Sequence, residues 1–276
     1  MTKNKTLVEL QSATLTRGNH ELWRDLDIAI TAGEFIAVLG PNGAGKTSLL
    51  KVLLGLVPLT DGSVRIDGKP AERGNRQIGY IPQQKNFDAT LPIRGRDLVS
   101  LGVTGNRYGF GGGHQTARQV NHAIKAVGAS RYASQPIGLL SGGEQQRLRI
   151  AQALAGQPEL LLCDEPLLSL DLTSQGMVTA LLDGYRREKN AAIIFVTHEI
   201  NPVLPYVDRI LYFAHGRWVI DTPERVLQSK TLSELYGTQV DVLRIHDRVL
   251  VVGAEDEALT EAGAHHSHKG DIRDEH

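Results

Sequence analysis

The chain of 276 residues is 41% hydrophobic with a formal net charge of −1, so it can bury the core of one large domain or two modest ones. Its single cysteine, Cys163, excludes an intramolecular disulfide, and no apolar run approaches the roughly 20 residues of a membrane-spanning helix. The sequence has no basic run, so no nucleic acid is expected as a partner, and the charged start "MTKNKTLVEL" lacks the apolar core of a signal peptide.

The first third of the chain is predicted to consist mainly of strands. Residues 6–15 and 22–30 alternate apolar and polar side chains, which is typical of half-buried antiparallel strands. The nearly continuous apolar run 34–40 indicates a strand that is buried on both faces. Residues 46–56 follow it with apolar side chains at helical spacing. Two further short strands are predicted at 62–68 and 77–83.

The rest of the chain combines helices with buried strands. A helical region with breaks is predicted from about Arg94 to about Ala155. The apolar segments 158–166 and 191–199 indicate two buried strands, and a helix is predicted between them at 173–190. A hairpin around His215-Gly216 is predicted at 209–221. Two short helices are predicted after it, at 223–228 and 232–237.

These elements predict an α/β domain with an antiparallel sheet near its start and a helical insert in its middle. We expect this domain to span residues 1–238, with its helical part at about 90–156, and a small β-ribbon to follow at 239–253. Residues 254–276 are polar and acidic, which is typical of a disordered tail. Three of the histidines in this tail lie close together, at His265, His266 and His268. They either hold a soft divalent ion, since imidazole binds zinc, or have no metal role.

The segment "GPNGAGKT" is the clearest motif in the chain. It matches the G-x-x-x-x-G-K-[ST] phosphate loop and lies between a predicted buried strand and a predicted helix, as this loop requires. Lys46 is predicted to meet the β- and γ-phosphates of a nucleotide, Thr47 to bind Mg²⁺, and Ser48 to meet the α-phosphate. The predicted nucleotide-binding loop comprises Gly40, Pro41, Asn42, Gly43, Ala44, Gly45, Lys46 and Thr47.

Two acidic residues, Asp164 and Glu165, end the predicted strand of "LLLCDEP". Adjacent carboxylates on their own are more often part of a solvated turn. After an apolar strand, in a chain with a phosphate loop, they favour a site in which Asp164 supports Mg²⁺ and Glu165 activates the attacking water. Cys163 is predicted to be a small core side chain.

His198 follows the predicted buried strand of "AAIIFVTHE". The carboxyl ends of parallel strands share one edge of a sheet, so His198 is expected beside the groups that bind phosphate and Mg²⁺. The segment "HEINP" does not match H-E-x-x-H, which excludes a zinc protease of that type.

A second predicted anion-binding helix start lies at "LSGGEQQ". The first amides of a helix have no partner within the helix, and its dipole adds partial positive charge there. This loop contains no lysine, so the residues alone do not explain why one chain has two such sites.

The segments "GPNGAGKT", "LSGGEQQRLRIAQAL", "LLLCDEP", "SLD" and "FVTHE" together resemble the ATP-binding subunit of an ABC transporter, over residues from about 6 to 250. The resemblance implies a RecA-like phosphate-loop core with an antiparallel β subdomain and a helical subdomain. It also implies a head-to-tail homodimer, in which each signature loop binds the γ-phosphate of ATP held by the other subunit. The opposite subunit's Lys46 then supplies the missing charge, and the signature residues are Ser141, Gly142, Gly143 and Glu144.

Other site residues are implied by the same resemblance. Gln83 matches the Q-loop glutamine, which contacts Mg²⁺ and the attacking water and couples to the membrane subunit. Asp171 matches the D-loop residue at the dimer interface, and His198 matches the switch histidine that contacts the γ-phosphate. With ATP and Mg²⁺ as cofactors, the implied catalytic residues are Lys46, Gln83, Glu165 and His198, and the implied Mg²⁺ ligands are Thr47, Gln83 and Asp164.

One position departs from the family's pattern. ABC ATPases often stack an aromatic residue on adenine shortly after the first strand, and Arg17 occupies that position here. A guanidinium can also stack on a base, so Arg17 is predicted to bind adenine. In the alternative interpretation Arg17 is merely exposed and adenine rests on another residue, such as Trp23.

The segments 78–102 and 233–253 are similar to subunits of zinc and manganese importers. This similarity implies an ATPase that drives uptake of zinc or manganese through a separate membrane permease, supplied by an extracytoplasmic metal-binding protein. The subunit would then sit on the cytoplasmic face of the membrane. The alternatives are an ABC ATPase for another solute or an exporter and, less in keeping with the short helical insert, a soluble ABC ATPase unrelated to transport.

Overall fold

A computed structural model of the chain describes residues 5–83, 87–88, 90–105, 113–168, 170–246 and 248–253. Within these residues the strands are β1 (Thr6–Arg17), β2 (His20–Thr31), β3 (Phe35–Leu39), β4 (Asp61–Ile66), β5 (Lys69–Pro70), β6 (Ile78–Ile81), β7 (Leu160–Asp164), β8 (Ala192–Val196), β9 (Arg209–Ala214), β10 (Arg217–Asp221), β11 (Val240–Ile245) and β12 (Arg248–Gly253). The α-helices are α1 (Lys46–Leu53), α2 (Gly95–Thr104), α3 (His114–Ala126), α4 (Gly142–Ala155), α5 (Leu172–Lys189), α6 (Pro223–Val226) and α7 (Ser229–Tyr236).

A six-stranded sheet in the order β10-β9-β3-β8-β7-β6 forms the centre of the fold. Strands β9, β3, β8, β7 and β6 pair in parallel, and β10 joins β9 antiparallel. Every residue of β3, β7 and β8 is buried, and apart from Asp164 all of them are apolar or small, as expected of strands covered on both faces. The buried strands predicted from apolar runs are thereby confirmed, and so is the burial of Cys163.

The parallel strands bring distant parts of the sequence to one edge of the sheet. The phosphate loop follows β3 directly, and Glu165 follows β7 directly. Gln83 and His198 each lie two residues beyond the ends of β6 and β8. Because parallel strands end at the same edge, this edge is where a ligand of such a sheet binds.

The predicted antiparallel sheet is present in the order β2-β1-β4-β5. The alternation in β1 is interrupted by a register shift between Leu10 and Ala13, where Ser12 has a φ of 44°. Side chains from this sheet pack with α1 and one face of the central sheet in a common core, which includes Trp23, Leu50 and Leu162. The two-residue strand β5 is too short to leave a periodic pattern in the sequence.

The helical region is confirmed as a set of separate helices, α2, α3 and α4, with a 3₁₀ turn at Ile137–Leu139. Leu98, Ile124 and Leu148 place apolar side chains from all three helices in one core, which continues to the other face of the central sheet. Of the helices that the structure describes, none offers the length of apolar surface needed to cross a lipid bilayer.

The predicted hairpin and ribbon are also present. His215 and Gly216 have φ values of 48° and 76°, as the two central residues of a type I′ hairpin turn require. Strands β11 and β12 form the antiparallel ribbon, and the tail predicted at 254–276 lies outside the described residues. The domain boundaries stay predictions.

The predicted and observed elements differ mainly at their ends. The helix predicted at 46–56 ends at Leu53, and Gly55, with a φ of 66°, follows it. The strand predicted at 77–83 ends at Ile81, because Pro82 has no N–H to continue the ladder. The strand predicted at 191–199 covers only Ala192–Val196.

Candidate active site

The loop between β3 and α1 requires glycine at two positions. Gly40 and Gly45 have φ values of 136° and 93°, which side chains rarely adopt. A Cβ atom on Gly40 would collide with the backbone oxygen of Phe213, and one on Gly45 would lie 2.8 Å from Nε1 of Trp23. The buried Trp23 ring therefore supports the loop from beneath and fixes its path into α1.

Lys46, the first residue of α1, places its ammonium group inside this loop. Its Nζ donates hydrogen bonds to the carbonyl oxygens of Gly40 at 2.7 Å and Pro41 at 2.9 Å. Burial lowers the pKa of Lys46, and the carboxylates of Glu165 and Asp164 oppose that effect. These carboxylates therefore favour the charged ammonium group, which is the form that binds phosphate. Asn42 is exposed, and Ala44, Thr47 and Ser48 are half-buried.

We expect Gly45→Ala to lower the melting temperature more than Gly43→Ala does. Both glycines have positive φ, at 93° and 82°, so either alanine carries backbone strain of about 1–3 kcal/mol. A Cβ on Gly43 meets nothing within 4 Å, whereas one on Gly45 meets the Trp23 ring. Overpacking adds about 1–3 kcal/mol, and each kcal/mol corresponds to roughly 2–4 °C for a chain of this size. Thermal unfolding measures the difference; equal melting temperatures would mean that the ring moves aside freely.

Asp164 lies at the end of β7 within reach of the phosphate loop. Its Oδ1 accepts a hydrogen bond from the Thr47 hydroxyl at 3.0 Å, and its Oδ2 accepts one from the Tyr80 hydroxyl at 3.3 Å. Burial raises the pKa of Asp164, and these two hydrogen bonds oppose the shift. Burial also raises the pKa of Tyr80, to about 12, so its hydroxyl stays a donor. Tyr80 belongs to no motif in the sequence, and it reaches Asp164 because β6 pairs with β7.

Glu165 brings two other predicted catalytic residues together. Its Oε2 accepts a hydrogen bond from Nε2 of Gln83 at 3.1 Å, and its Oε1 lies 2.5 Å from Nε2 of His198. The side chain of Glu165 is 14% exposed and that of His198 is 42% exposed. A largely buried carboxylate that still opens to solvent, held by an amide and an imidazole, is suited to accept a proton from water.

The signature segment begins α4 with a capping box. The Ser141 hydroxyl and backbone N–H both donate to Oε2 of Glu144, at 2.8 and 2.9 Å, and the Glu144 N–H donates back to the serine oxygen at 3.4 Å. Ser141 is exposed and Gly142 and Gly143 are half-buried, so this helix start is open on its outer side. Among the described residues no hydrogen bond or salt bridge joins Ser141 or Glu144 to the phosphate loop of the same chain.

Asp171 caps α5. Its carboxylate accepts hydrogen bonds from the N–H and the hydroxyl of Ser174, both at 2.9 Å, and these bonds lower the pKa of Asp171. The side chain is exposed and charged.

Two glutamines that sequence reasoning missed tie α4 to the catalytic segments. Gln145 accepts a hydrogen bond from the backbone N–H of Phe87, four residues after Gln83, at 3.2 Å. Gln146 donates to the backbone oxygen of Pro166, next to Glu165, at 2.9 Å. Both glutamines are buried. Two amides within an otherwise periodic helix were the only signal that the sequence offered.

Arg17 lies exposed at the end of β1, so its stacking on adenine stays a prediction. In the alternative interpretation, Trp23 is wrong as the residue on which adenine rests. The indole of Trp23 is fully buried and lies against Phe213 with ring centroids 6.1 Å apart, so it has no free face for a base.

These residues fit a nucleoside triphosphate and a hard cation. The loop leads into the N-terminus of α1, where backbone amides that have no partner within the helix can bind phosphate. The hydroxyl and carboxylate oxygens of Thr47 and Asp164, already in contact, are the donors that Mg²⁺ prefers. The described part of the chain contains no cluster of three His, Cys, Asp or Glu residues suited to a transition metal.

Comparisons with known proteins identify the family. Residues 23–168 match the ABC transporter family. The chain is 32% identical over 247 residues to the manganese transport system ATP-binding protein MntB of Halalkalibacterium halodurans, which covers 89% of this chain and 98% of that protein. It is 33% identical over 233 residues to the zinc import ATP-binding protein ZnuC 1 of Hahella chejuensis, with 84% of each chain covered. A dimeric ATP-binding cassette solved with ADP and phosphate matches with a TM-score of 0.67 at 28% identity, over 78% of this chain and 98% of that one. The chain belongs to the ABC transporter family, as one of its ATP-hydrolysing subunits.

Proposed function

We propose that this chain powers the import of a divalent metal ion, zinc or manganese, by hydrolysing ATP as a homodimer bound to a membrane permease. The proposal of ATP chemistry rests on the contact of Glu165 with Gln83 and His198 beside the phosphate loop. The cargo is proposed from the relatives, which are named for manganese transport and zinc import.

Binding begins at the phosphate loop. Amides of this loop and the Lys46 ammonium group hold the phosphates of ATP, and Lys46 exchanges its two carbonyl partners for phosphate oxygens. Thr47, Asp164 and Gln83 are the residues that would hold Mg²⁺, which would supply positive charge to offset the negative charge of the phosphates.

Hydrolysis then requires a base beside the γ-phosphate. Glu165 accepts a proton from water as the water oxygen bonds to the γ-phosphorus and the bond to the bridging oxygen of ADP breaks. Gln83 orients the carboxylate and the water, and His198 contacts the γ-phosphate. ADP and inorganic phosphate are the products.

A second copy completes each site in this proposal. The open helix start at Ser141 has no phosphate loop to serve within the described part of its own chain, and it would bind the γ-phosphate held by the other copy. Asp171 would lie at the same interface. The solved dimeric cassette supports this arrangement. Gln83 would also contact the permease, which holds the dimer at the cytoplasmic face of the membrane.

Tyr80→Phe is expected to raise the Mg²⁺ concentration needed for half-maximal ATPase activity by several fold. The change removes one of the two described hydrogen bonds to the buried Asp164 carboxylate, and a hydrogen bond to a charged group contributes about 1.5–3 kcal/mol. Tyr185→Phe is the control, because its hydroxyl bonds to Pro158 instead. If both variants match the unmodified chain, Tyr80 has no part in the Mg²⁺ site.

Arg17→Ala is expected to raise the KM for ATP modestly, and Arg17→Tyr to restore it, because either a guanidinium or a phenol ring can stack on adenine. Steady-state ATPase assays measure both values. Unchanged kinetics in the two variants would leave Arg17 as an ordinary exposed side chain.

Reconstitution in liposomes tests the cargo. The chain is combined with a candidate permease and a candidate metal-binding protein, and ATPase activity and labelled metal are followed. Binding protein loaded with zinc or manganese should stimulate ATP hydrolysis. The labelled metal should accumulate on the side of the liposome membrane opposite the binding protein. Stimulation by a sugar, peptide or siderophore alone would overturn the metal proposal and leave the ATPase intact, and accumulation in the reverse direction would indicate an exporter.

A further inference from the structure

The outer face of the C-terminal ribbon carries an exposed apolar centre. Leu243 on β11 lies directly opposite Leu250 on β12, and their exposed fractions are 47% and 53%. Ile245 and Val252 extend the patch, at 55% and 39% exposed. We call this surface the ribbon face; it consists of Asp241, Leu243, Ile245, Arg248, Leu250 and Val252.

The ribbon is fixed firmly to the rest of the molecule through its other face. Val240 and Val249 are buried in the main core. The side-chain amide of Asn201 donates to the backbone oxygen of Val249 at 3.0 Å and accepts from its N–H at 2.8 Å. The Ser233 hydroxyl likewise bonds the N–H of Val240 at 2.9 Å. The ribbon face therefore has a defined position on the molecule.

Opposite charges lie at diagonal corners of the ribbon face. Asp241 pairs across the strands with Val252 at one end, and Arg248 pairs with Ile245 at the other. Both charged side chains are exposed. A surface with an apolar centre and opposite charges at diagonal corners is complementary to a rotated copy of itself.

We propose that the ribbon face docks on the ribbon face of a second copy of this chain. A two-fold axis running roughly across the strands places Asp241 of each copy opposite Arg248 of the other. Leu243 and Leu250 then each meet their own counterparts at the centre. The strands of the two copies cross at a few tens of degrees, similar to the angle of about 30° between stacked sheets.

This contact rests on the proposed ATP-bound dimer, because it is too small to hold two chains alone. Three cross-strand pairs offer far less than the ~800 Å² that each partner buries in a stable interface. The ribbon borders a cavity that is also lined by Pro41 and His198, so it lies beside the edge of the sheet where the second copy is proposed to bind. Docking of the ribbon faces would add to that interface.

Disulfide cross-linking tests the proposal in the full chain. Cys163 is buried, so Leu250→Cys introduces an exposed thiol of known position. In Glu165→Gln protein with ATP and Mg²⁺, copper phenanthroline should oxidise the two thiols of a dimer to a disulfide. Cross-linking should be extensive with ATP and slight without it. Leu56→Cys is the control, since Leu56 is similarly exposed, at 46%, but lies beyond α1.

Charge exchange adds a test of orientation. Asp241→Arg and Arg248→Asp should each lower the cross-linked fraction several fold, because like charges then face each other, and the double variant should restore it. If the double variant has a cross-linked fraction as low as that of the single variants, the proposed axis is overturned.

Light scattering and maleimide labelling of the same samples separate the remaining outcomes. Dimers that form with ATP but cross-link no more than Leu56→Cys would overturn the ribbon contact alone, and a chain that stays monomeric with ATP would overturn the proposed dimer as well. If the thiol introduced by Leu250→Cys is shielded from maleimide in the ATP-free monomer, residues 254–276 cover the face. If the thiol is labelled in the chain alone but shielded when the permease is added to the sample, the face belongs to the permease interface instead. Either result contradicts docking between copies.

Discussion

Glu165→Gln is expected to lower ATP turnover by about 10²–10⁴-fold while ATP binding is retained. The amide keeps the size of the side chain and can still contact Gln83 and His198, but it cannot accept a proton from water. The variant should therefore hold ATP without hydrolysing it and accumulate as a dimer. Phosphate release measures turnover, and light scattering with ATP and Mg²⁺ measures the dimer.

Glu159→Gln is the matched control, because Glu159 lies before β7 in a salt bridge with Lys5, far along the strand from the site. It should hydrolyse ATP at the rate of the unmodified chain. Near-normal hydrolysis by Glu165→Gln would remove Glu165 from the role of general base.

Lys46→Ala is expected to weaken ATP binding by one to several orders of magnitude. The Lys46 ammonium group makes charge-assisted contacts, each of about 1.5–3 kcal/mol, and about 1.4 kcal/mol corresponds to a tenfold change in Kd. Binding of a fluorescent ATP analogue measures the loss. The melting temperature should change little, because the bonds of this side chain within the described residues are to two loop carbonyls.

Lys69→Ala, an exposed lysine in β5, controls for the general loss of positive charge. Retention of normal ATP affinity by Lys46→Ala would show that the loop amides alone bind the phosphates.

The sheet edge that carries the proposed catalytic residues could be predicted because strong local signals coincide there. Three apolar runs mark strands that are buried on both faces, and each is followed within two residues by a side chain or loop with a predicted chemical role. Parallel pairing then brings those residues together. The contact between Glu165 and His198 agrees with that expectation, whereas Gln83, which also contacts Glu165, was implied only by the family resemblance.

Contacts between distant segments could not be predicted. Tyr80 looks like an ordinary strand residue until β6 is placed beside β7, and the roles of Gln145 and Gln146 depend on loops that lie elsewhere in the sequence. Trp23 was considered as a base-stacking residue because the sequence does not reveal that Phe213 and the phosphate loop enclose it. In each case tertiary packing decides the role.

Mixing two inactive variants tests the central proposal, that each ATP site is shared between two copies. Ser141→Arg should bind ATP as a monomer but not hydrolyse it, because the added bulk and charge occupy the signature loop, and Lys46→Ala should bind ATP too weakly for hydrolysis. In a mixed dimer one site carries both changes, while the other combines an unmodified Lys46 with an unmodified Ser141. ATPase activity should therefore return on mixing. If light scattering shows mixed dimers and activity stays absent, or if Ser141→Arg alone loses ATP binding as a monomer, the shared site is contradicted.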